Sequence, residues 1–177
     1  AMNGIQVALG IAGGTITGNT INNIEQTNPA GYPAYGLYLG SGSAASGVTI
    51  ANNMIADIAS YSDTSTAFSY QPVGIMLTGT NGGWNLYYNS VNLSGSHTGL
   101  TGATMQTALF VGATVTAVDL RNNVFANSYD NSSASADKSY AIYSAAPASA
   151  FTSIDHNDYH ASGATGVLGF FGGADVT

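Results

Sequence analysis

The densest cluster of side chains that can bind a metal or transfer protons lies near the end of the chain. Two carboxylates and two imidazoles fall within the segment Asp155-His-Asn-Asp-Tyr-His160. Both groups are ligands for divalent cations, and both can act as acids or bases. The candidates are Asp155, His156, Asp158 and His160. Because side chains diverge around a strand, turn and strand, we favour polar decoration of a corner over a metal or catalytic site.

The other acids and bases are scattered along the chain. Asp63, Asp130 and Asp137 lie in segments without strand periodicity, where an incidental Ca²⁺ could bind, but no dedicated cofactor is predicted. Arg121 and Lys138 are the only Lys or Arg residues, and the formal net charge is −7. A phosphate backbone or an anionic bilayer needs several cations, so neither nucleic acid nor such a membrane is an expected partner. No apolar run reaches transmembrane length, so membrane insertion is not expected either.

An asparagine-centred motif recurs five times and identifies the elements that must position these side chains. Its pattern is aliphatic-x-x-Asn-x-apolar, and its asparagines are 34, 36, 34 and 34 residues apart. They are Asn19, Asn53, Asn89, Asn123 and Asn157. A sharp corner needs a positive φ, which asparagine tolerates, and stacked amides can hydrogen-bond from coil to coil. We therefore predict a structural asparagine ladder in which asparagine itself adopts the left-handed conformation.

A second motif, small-apolar-x-apolar, precedes each asparagine motif. It has the period of two that is typical of a short strand with one buried face. Its copies cover residues 4–7, 36–39, 74–77, 108–111 and 141–144, and only the last copy loses its second apolar residue, at Ser144. Three short strands at a fixed period predict a solenoid, and the leucine-rich repeat fits less well because its period is shorter. The low charged fraction of 6% and the 23 glycines agree with an all-β fold rich in turns.

The predicted fold is an all-β, right-handed parallel β-helix of about five coils plus a partial sixth, forming one domain over residues 1–177. The segment Gly166–Phe171 reads as the first strand of the sixth coil. Long loops are expected after each third strand, at about 25–35, 59–73, 94–107 and 127–140. A solenoid end exposes unpaired backbone, so each end should be capped, paired or continued. We expect a fragment of a longer chain, or ends that stack on neighbours.

The repeat resembles a known superfamily. Aliphatic-x-x-Asn-x-apolar on three-strand coils is similar to the pectate-lyase-like parallel β-helix superfamily, which includes polygalacturonases and repeat segments of large secreted bacterial β-helix proteins. The resemblance covers nearly the whole chain and implies that the first-strand face forms the floor of a sugar-binding groove. In that superfamily catalysis uses clustered aspartates, or calcium with a basic residue. The first-strand positions of this chain contain no acid, so no catalytic residue is assigned.

The outward positions of the first strands form the main candidate binding surface. They follow Gln6 and are mostly large and apolar, namely Tyr38, Met76, Phe110 and Tyr143. Such a row can stack against pyranose rings or serve self-association. In a third arrangement the long loops fold back and cover it with aromatic side chains. The residues available for that cover are Tyr32, Tyr35, Phe68, Tyr70 and Tyr140.

The outward row of the second strands is polar and needs no function. It consists of Thr15, Thr49, Asn85, Asp119 and Ser153. Arg121 and Asp155 occupy equivalent positions on adjacent coils. We therefore expect a solvated salt bridge between them, which would stabilise the fold by less than about 1 kcal/mol.

These patterns favour a non-catalytic, rigid β-helix module of a secreted or cell-surface protein. Its expected roles are scaffolding or adhesion, with polysaccharide contacted through the first-strand face. One alternative is part of a polysaccharide lyase or glycoside hydrolase whose catalytic coils are incomplete or lie outside this sequence. Another is a filament subunit that associates end to end.

Overall fold

Short β-strands dominate the described part of the chain. The computed structural model describes residues 1–8, 10–28, 31–40, 45–60, 67–80, 82–96, 104–130 and 137–177. Within these ranges there is no α-helix, and the helical segments are the two 3₁₀ turns Phe68–Tyr70 and Ala148–Ala150. None of the helical segments in these ranges has the length and apolar character needed to cross a bilayer.

The first strand of each coil contributes to one long sheet. Its parallel strands are β1 (Met2–Val7), β5 (Ala34–Gly40), β9 (Val73–Thr78), β12 (Met105–Val111), β15 (Lys138–Ser144) and β18 (Gly166–Phe171). A final strand, β19 (Ala174–Val176), pairs antiparallel with β18. The predicted first strand of a sixth coil is therefore confirmed.

Two further parallel sheets complete the coils. The second sheet contains β2 (Thr15–Thr17), β6 (Ala45–Ala51), β10 (Gly82–Tyr87), β13 (Val118–Arg121) and β16 (Phe151–Asp155). The third contains β3 (Thr20–Ile21), β7 (Met54–Ala56), β11 (Ser90–Leu93), β14 (Val124–Asn127) and β17 (Asp158–Ala161). Each strand pairs with its counterpart one repeat away, so the chain is a parallel β-helix, as the spacing predicts.

The inward side chains of the three sheets form a continuous core. Ile50, Leu86 and Leu120 stack in register and are fully buried. Ile154, in the same column on the last complete coil, is 44% exposed because the described chain places no second strand beyond it. The small residue in the first-strand motif has a steric reason, since a Cβ on Gly36 would lie 2.5 Å from the Cγ2 of Ile55.

The ladder asparagines link consecutive coils. The Nδ2 of Asn89 donates to Asn123 Oδ1 in the next coil and to the Ile50 carbonyl oxygen in the previous coil, both at 2.9 Å. Its Oδ1 accepts the backbone N–H and the Nδ2 of Asn53, at 3.2 and 2.9 Å. The amide contacts extend to both ends of the ladder. The buried amides thus satisfy one another, and the predicted ladder is confirmed.

The prediction that the ladder asparagine has a positive φ is wrong. At each corner the left-handed residue lies one position before the ladder asparagine, and we call these five residues the corner column. Its φ values are 69° at Gly18, 53° at Asn52, 55° at Tyr88, 58° at Asn122 and 52° at His156. All five residues are exposed. The corner needs only one left-handed residue, and its place outside the coil leaves the asparagine side chain free to join the ladder.

The predicted loop starts near residues 25 and 59 are also wrong. Ile24–Gln26 forms β4 and Ile58–Ser60 forms β8, and these strands pair with each other in a fourth, parallel sheet. Asn23 and Asp57 adopt positive φ just before them, so the chain turns again and continues along the solenoid. The central parts of all four predicted loops lie outside the described residues.

A hairpin covers the C-terminal edge of the first sheet. β19 pairs with β18 and occupies the edge that β18 would otherwise leave unpaired. Asp175 holds it in place, because one carboxylate oxygen binds Lys138 Nζ at 2.5 Å and the other accepts the Tyr140 hydroxyl at 3.0 Å. These contacts keep the pKa of Asp175 below its usual value, and the bond from Lys138 is the largest cause.

Candidate functional site

The row of outward side chains on the first strands is aligned from coil to coil, and we call it the first-strand row. Registered neighbours along it are Gln6, Tyr38, Met76, Phe110, Tyr143 and Phe170. The rings of Tyr143 and Phe170 are stacked, with centroids 4.3 Å apart and planes within 2°. Residue types alone did not place Phe170 in this row, although its position follows once the sixth first strand is in register.

Phe68 covers the middle of the first-strand row. Its ring lies 4.8 Å from that of Phe110 and 4.6 Å from that of Tyr143, and the side chain is only 6% exposed. Met76 is buried in the same cluster. The side chain of Tyr70, another expected cover, lies outside the described residues. At Met76, therefore, the outward side chain has little surface to offer a ligand.

The N-terminal part of the row opens onto a groove of about 460 Å³, which we call the first-strand groove. Its lining residues are Ala1, Asn3, Gln6, Pro33, Tyr35, Tyr38 and Ser69. The Asn3 Nδ2 donates to Gln6 Oε1 at 2.7 Å. The Asn3 Oδ1 is shielded from solvent and has no hydrogen-bond partner among the described residues. The groove thus combines an aromatic wall with side-chain amides.

Tyr35 fixes the wall of this groove. Its hydroxyl donates to the Phe68 carbonyl oxygen at 3.3 Å, and its ring lies 5.5 Å from that of Tyr38. Burial raises the pKa of the Tyr35 hydroxyl, and the neighbouring Tyr38 adds to the shift. A phenol that remains protonated stays a hydrogen-bond donor, so Tyr35 anchors the 3₁₀ turn that carries Phe68.

The four candidate metal ligands, Asp155, His156, Asp158 and His160, do not converge. His156 Nδ1 lies 2.8 Å from Asp155 Oδ2, and both side chains are exposed. Asp158 and His160 lie on β17, where they are registered with Val124 and Ala126 and are exposed. Among the residues that the structure describes, no group of three or more His, Asp or Glu side chains is arranged to hold a metal ion.

The loop acids offered for calcium are also separated. Asp137 is buried and accepts hydrogen bonds from the backbone N–H and the hydroxyl of Thr104, at 2.7 and 3.3 Å. Asp130 is exposed, and its backbone pairs with Ser96 in an isolated parallel bridge. Asp63 lies outside the described residues. Asp137 therefore has a structural role, since it ties the start of one first strand to the chain one coil away.

The expected salt bridge between Arg121 and Asp155 is not formed, although the two residues are registered neighbours. Arg121 instead binds Asp119 on its own strand through two nitrogens, of which Nε lies 2.6 Å from Asp119 Oδ1. The Tyr87 hydroxyl donates to Asp119 Oδ2 at 2.8 Å. The guanidinium bonds keep the pKa of Asp119 below its usual value. A carboxylate two residues away on the same strand face permits the fork-to-fork geometry that arginine prefers.

Residue types alone did not single out Tyr87 and Tyr88. They line a second groove, of about 230 Å³, together with Arg121 and Asn122. The residue types one position before each ladder asparagine could have indicated this groove from the sequence. Gly, Asn and Asn at three of these positions indicate a left-handed corner, and a tyrosine at residue 88 departs from that pattern.

Comparison with known proteins adds no relative from which a function can be transferred. No family model matches the chain, and neither the curated proteins nor the solved structures compared with it contain a match.

Proposed function

We propose that the chain is a rigid, non-catalytic β-helix module that contacts polysaccharide through the first-strand groove. The observation that carries the proposal is the composition of the groove, where Tyr38 lies beside the amides of Asn3 and Gln6. An aromatic ring can pack against the C–H face of a pyranose, while amides can pair with its hydroxyls as donors and as acceptors.

The covered middle of the first-strand row narrows this proposal. Because Phe68 packs over Phe110 and Tyr143, the contact is assigned to the end of the face that carries Tyr38. A sugar chain seated there would meet a preformed wall, since Tyr35 ties the 3₁₀ turn to the first sheet. Preformed walls reduce the ordering cost of binding.

The scaffold supports a mechanical role. Parallel strands hydrogen-bond from coil to coil along the first three sheets, and the ladder amides add bonds in the same direction. We further propose that the chain belongs to the pectate-lyase-like β-helix superfamily and serves in scaffolding or adhesion in a secreted or cell-surface bacterial protein. The support is the combination of three-strand parallel coils with an asparagine ladder. The non-catalytic part rests on the first-strand row, which offers no carboxylate pair for acid–base chemistry.

Binding of soluble neutral polysaccharides, measured on a glycan array and by calorimetry, tests the proposal. Tyr38→Ala should weaken binding by about tenfold or more, as expected when an aromatic anchor is lost. Met54→Ala is the matched control, because Met54 is an exposed apolar side chain on the third sheet, outside the groove. A wild-type chain that binds no polysaccharide would refute the proposal. Release of reducing or unsaturated sugars would refute its non-catalytic part.

A further inference from the structure

The corner column carries a second groove on its third and fourth coils. Tyr87 and Tyr88 line it on one coil, and Arg121 and Asn122 line it on the next. Registered pairing of Tyr87 with Arg121 places the two pairs one coil apart, about 4.8 Å. The volume of about 230 Å³ is enough for a sugar ring with its hydroxyls. This groove lies where the second strand meets the third, on residues that do not line the first-strand groove.

The fold does not explain why a tyrosine occupies position 88 in this groove. Its φ is 55°, a conformation that glycine and asparagine adopt with the least steric cost. The side chain is 61% exposed, so little burial offsets that cost. Among the described residues its hydroxyl has no hydrogen-bond partner and its ring has no aromatic neighbour. The corner imposes this conformation, but nothing in the local packing favours a tyrosine there, and residues held at such a cost cluster at functional sites.

The neighbours of Tyr88 offer oriented polar groups. Arg121 binds Asp119 through Nε and Nη2, and its guanidinium lies over the Tyr87 ring, 5.2 Å from the centroid. The Nη1 atom takes part in none of these bonds, so it remains a donor for a ligand. The exposed side-chain amide of Asn122 has no hydrogen-bond partner among the described residues, so it can both donate and accept.

The charges around the groove indicate the class of ligand. One guanidinium faces two carboxylates, because Asp119 is bonded to Arg121 and Asp155 is registered beside it on the next coil. An anionic ligand would therefore meet uncompensated negative charge, whereas a neutral ligand would not. An exposed aromatic ring beside several hydrogen-bonding groups suits a ligand with a flat apolar face and many hydroxyls.

We propose that Tyr88, Arg121 and Asn122 form a binding site for a neutral oligosaccharide, with a sugar ring stacked on Tyr88. Its hydroxyls are held by the Asn122 amide and the free guanidinium nitrogen. The site is separate from the first-strand groove and does not depend on it. A chain with both sites could hold two strands of a polysaccharide, or one strand that bends around the solenoid.

A substitution that separates strain from binding tests this site. Tyr88→Asn places at the corner a residue that Asn52 and Asn122 show to be accepted there. Its melting temperature should rise, because the strain is relieved and little burial is lost. In the Tyr38→Ala background, which disables the first-strand groove, Tyr88→Asn should lower the affinity for neutral hexasaccharides of the cello, xylo and manno series by about tenfold or more. Tyr88→Trp keeps a stacking surface and should retain binding. A fall in melting temperature in Tyr88→Asn would overturn the strain argument.

The two sugar sites are told apart in the Tyr38→Ala background. Binding of the same hexasaccharides that survives Tyr38→Ala and disappears when Tyr88→Asn is added supports the corner site. If Tyr38→Ala alone removes all binding, or if Tyr88→Asn changes no affinity, the corner site is refuted while the first-strand groove stands. Binding that persists only for uronic-acid oligosaccharides would contradict the assignment to a neutral ligand. Met54→Ala again serves as the control.

Discussion

The inner and outer sides of one corner follow opposite rules. Inside the coil, five asparagines repeat without variation, and those of the central coils have both amide groups paired. One residue earlier and outside the coil, the corner column holds five residues of four types, all with positive φ. The interior therefore fixes the residue type, whereas the exterior fixes only the backbone conformation. Glycine and asparagine adopt a positive φ at the lowest steric cost. Where the corner column has another residue, as at Tyr88, the fold alone does not account for the residue type.

In its burial, the first-strand row is intermediate between the buried ladder and the exposed corner column. Its side chains point outward by register, yet Met76 is buried and Phe68 packs across the middle of the row. Outward register thus does not ensure exposure when a loop residue returns over the sheet. The end of the row that carries Tyr38 opens onto a groove.

Removal of one ladder side-chain amide should give the largest loss of stability. Asn89→Ala deletes four hydrogen bonds, and the groups left behind are buried on both sides. At about 1 kcal/mol for each bond, the free energy of unfolding should fall by about 4 kcal/mol, measured by urea denaturation. Asn19→Ala is the matched control, because this end residue loses fewer side-chain bonds and should cost about half as much. Equal losses of stability for the two variants would contradict the conclusion that the hydrogen bonds of the interior ladder require asparagine.

Removal of the Phe68 ring tests whether the first-strand row behaves as part of the buried interior or as an exposed surface. Phe68→Ala takes away a buried ring that contacts Phe110 and Tyr143, so the free energy of unfolding should fall by about 3 kcal/mol. Binding of a hydrophobic dye should increase as the row becomes exposed. Tyr38→Ala, on the open end of the row, should cost clearly less. A loss below about 0.5 kcal/mol in Phe68→Ala would mean that the row is effectively an open surface.

Repetition explains which features the sequence could predict. The ladder and the strand order follow from five copies in phase, because each copy supports the register of the next. The left-handed residue was misplaced by one position, since asparagine suits both a positive φ and a ladder, and composition cannot separate the two roles. The cover by Phe68 depends on the path of a segment without periodicity. Arg121 was assigned to Asp155 from register alone, whereas a bidentate partner on its own strand, Asp119, was closer.

The charged contacts of the outer surface should give the smallest effect. Lys138 and Tyr140 hold Asp175, and their bonds lower the pKa of its carboxyl. A lowered pKa contributes stability that is complete above the unfolded value of about 3.9 and is lost as the pH falls through the folded value. Because the ion pair is partly exposed, its contribution should stay below about 1 kcal/mol.

The matched variant for this contact is Asp175→Asn, compared with the wild type in thermal melts from neutral pH downward. The two melting temperatures should differ by a small constant amount near neutral pH and converge only when the pH falls below the lowered folded pKa of the Asp175 carboxyl, where the wild-type side chain is also neutral. Hydrogen exchange should show faster opening of β19 in the variant at neutral pH, since β19 depends on this contact and on its pairing with β18. A difference that persists unchanged at low pH would show that the carboxylate charge does not hold the hairpin.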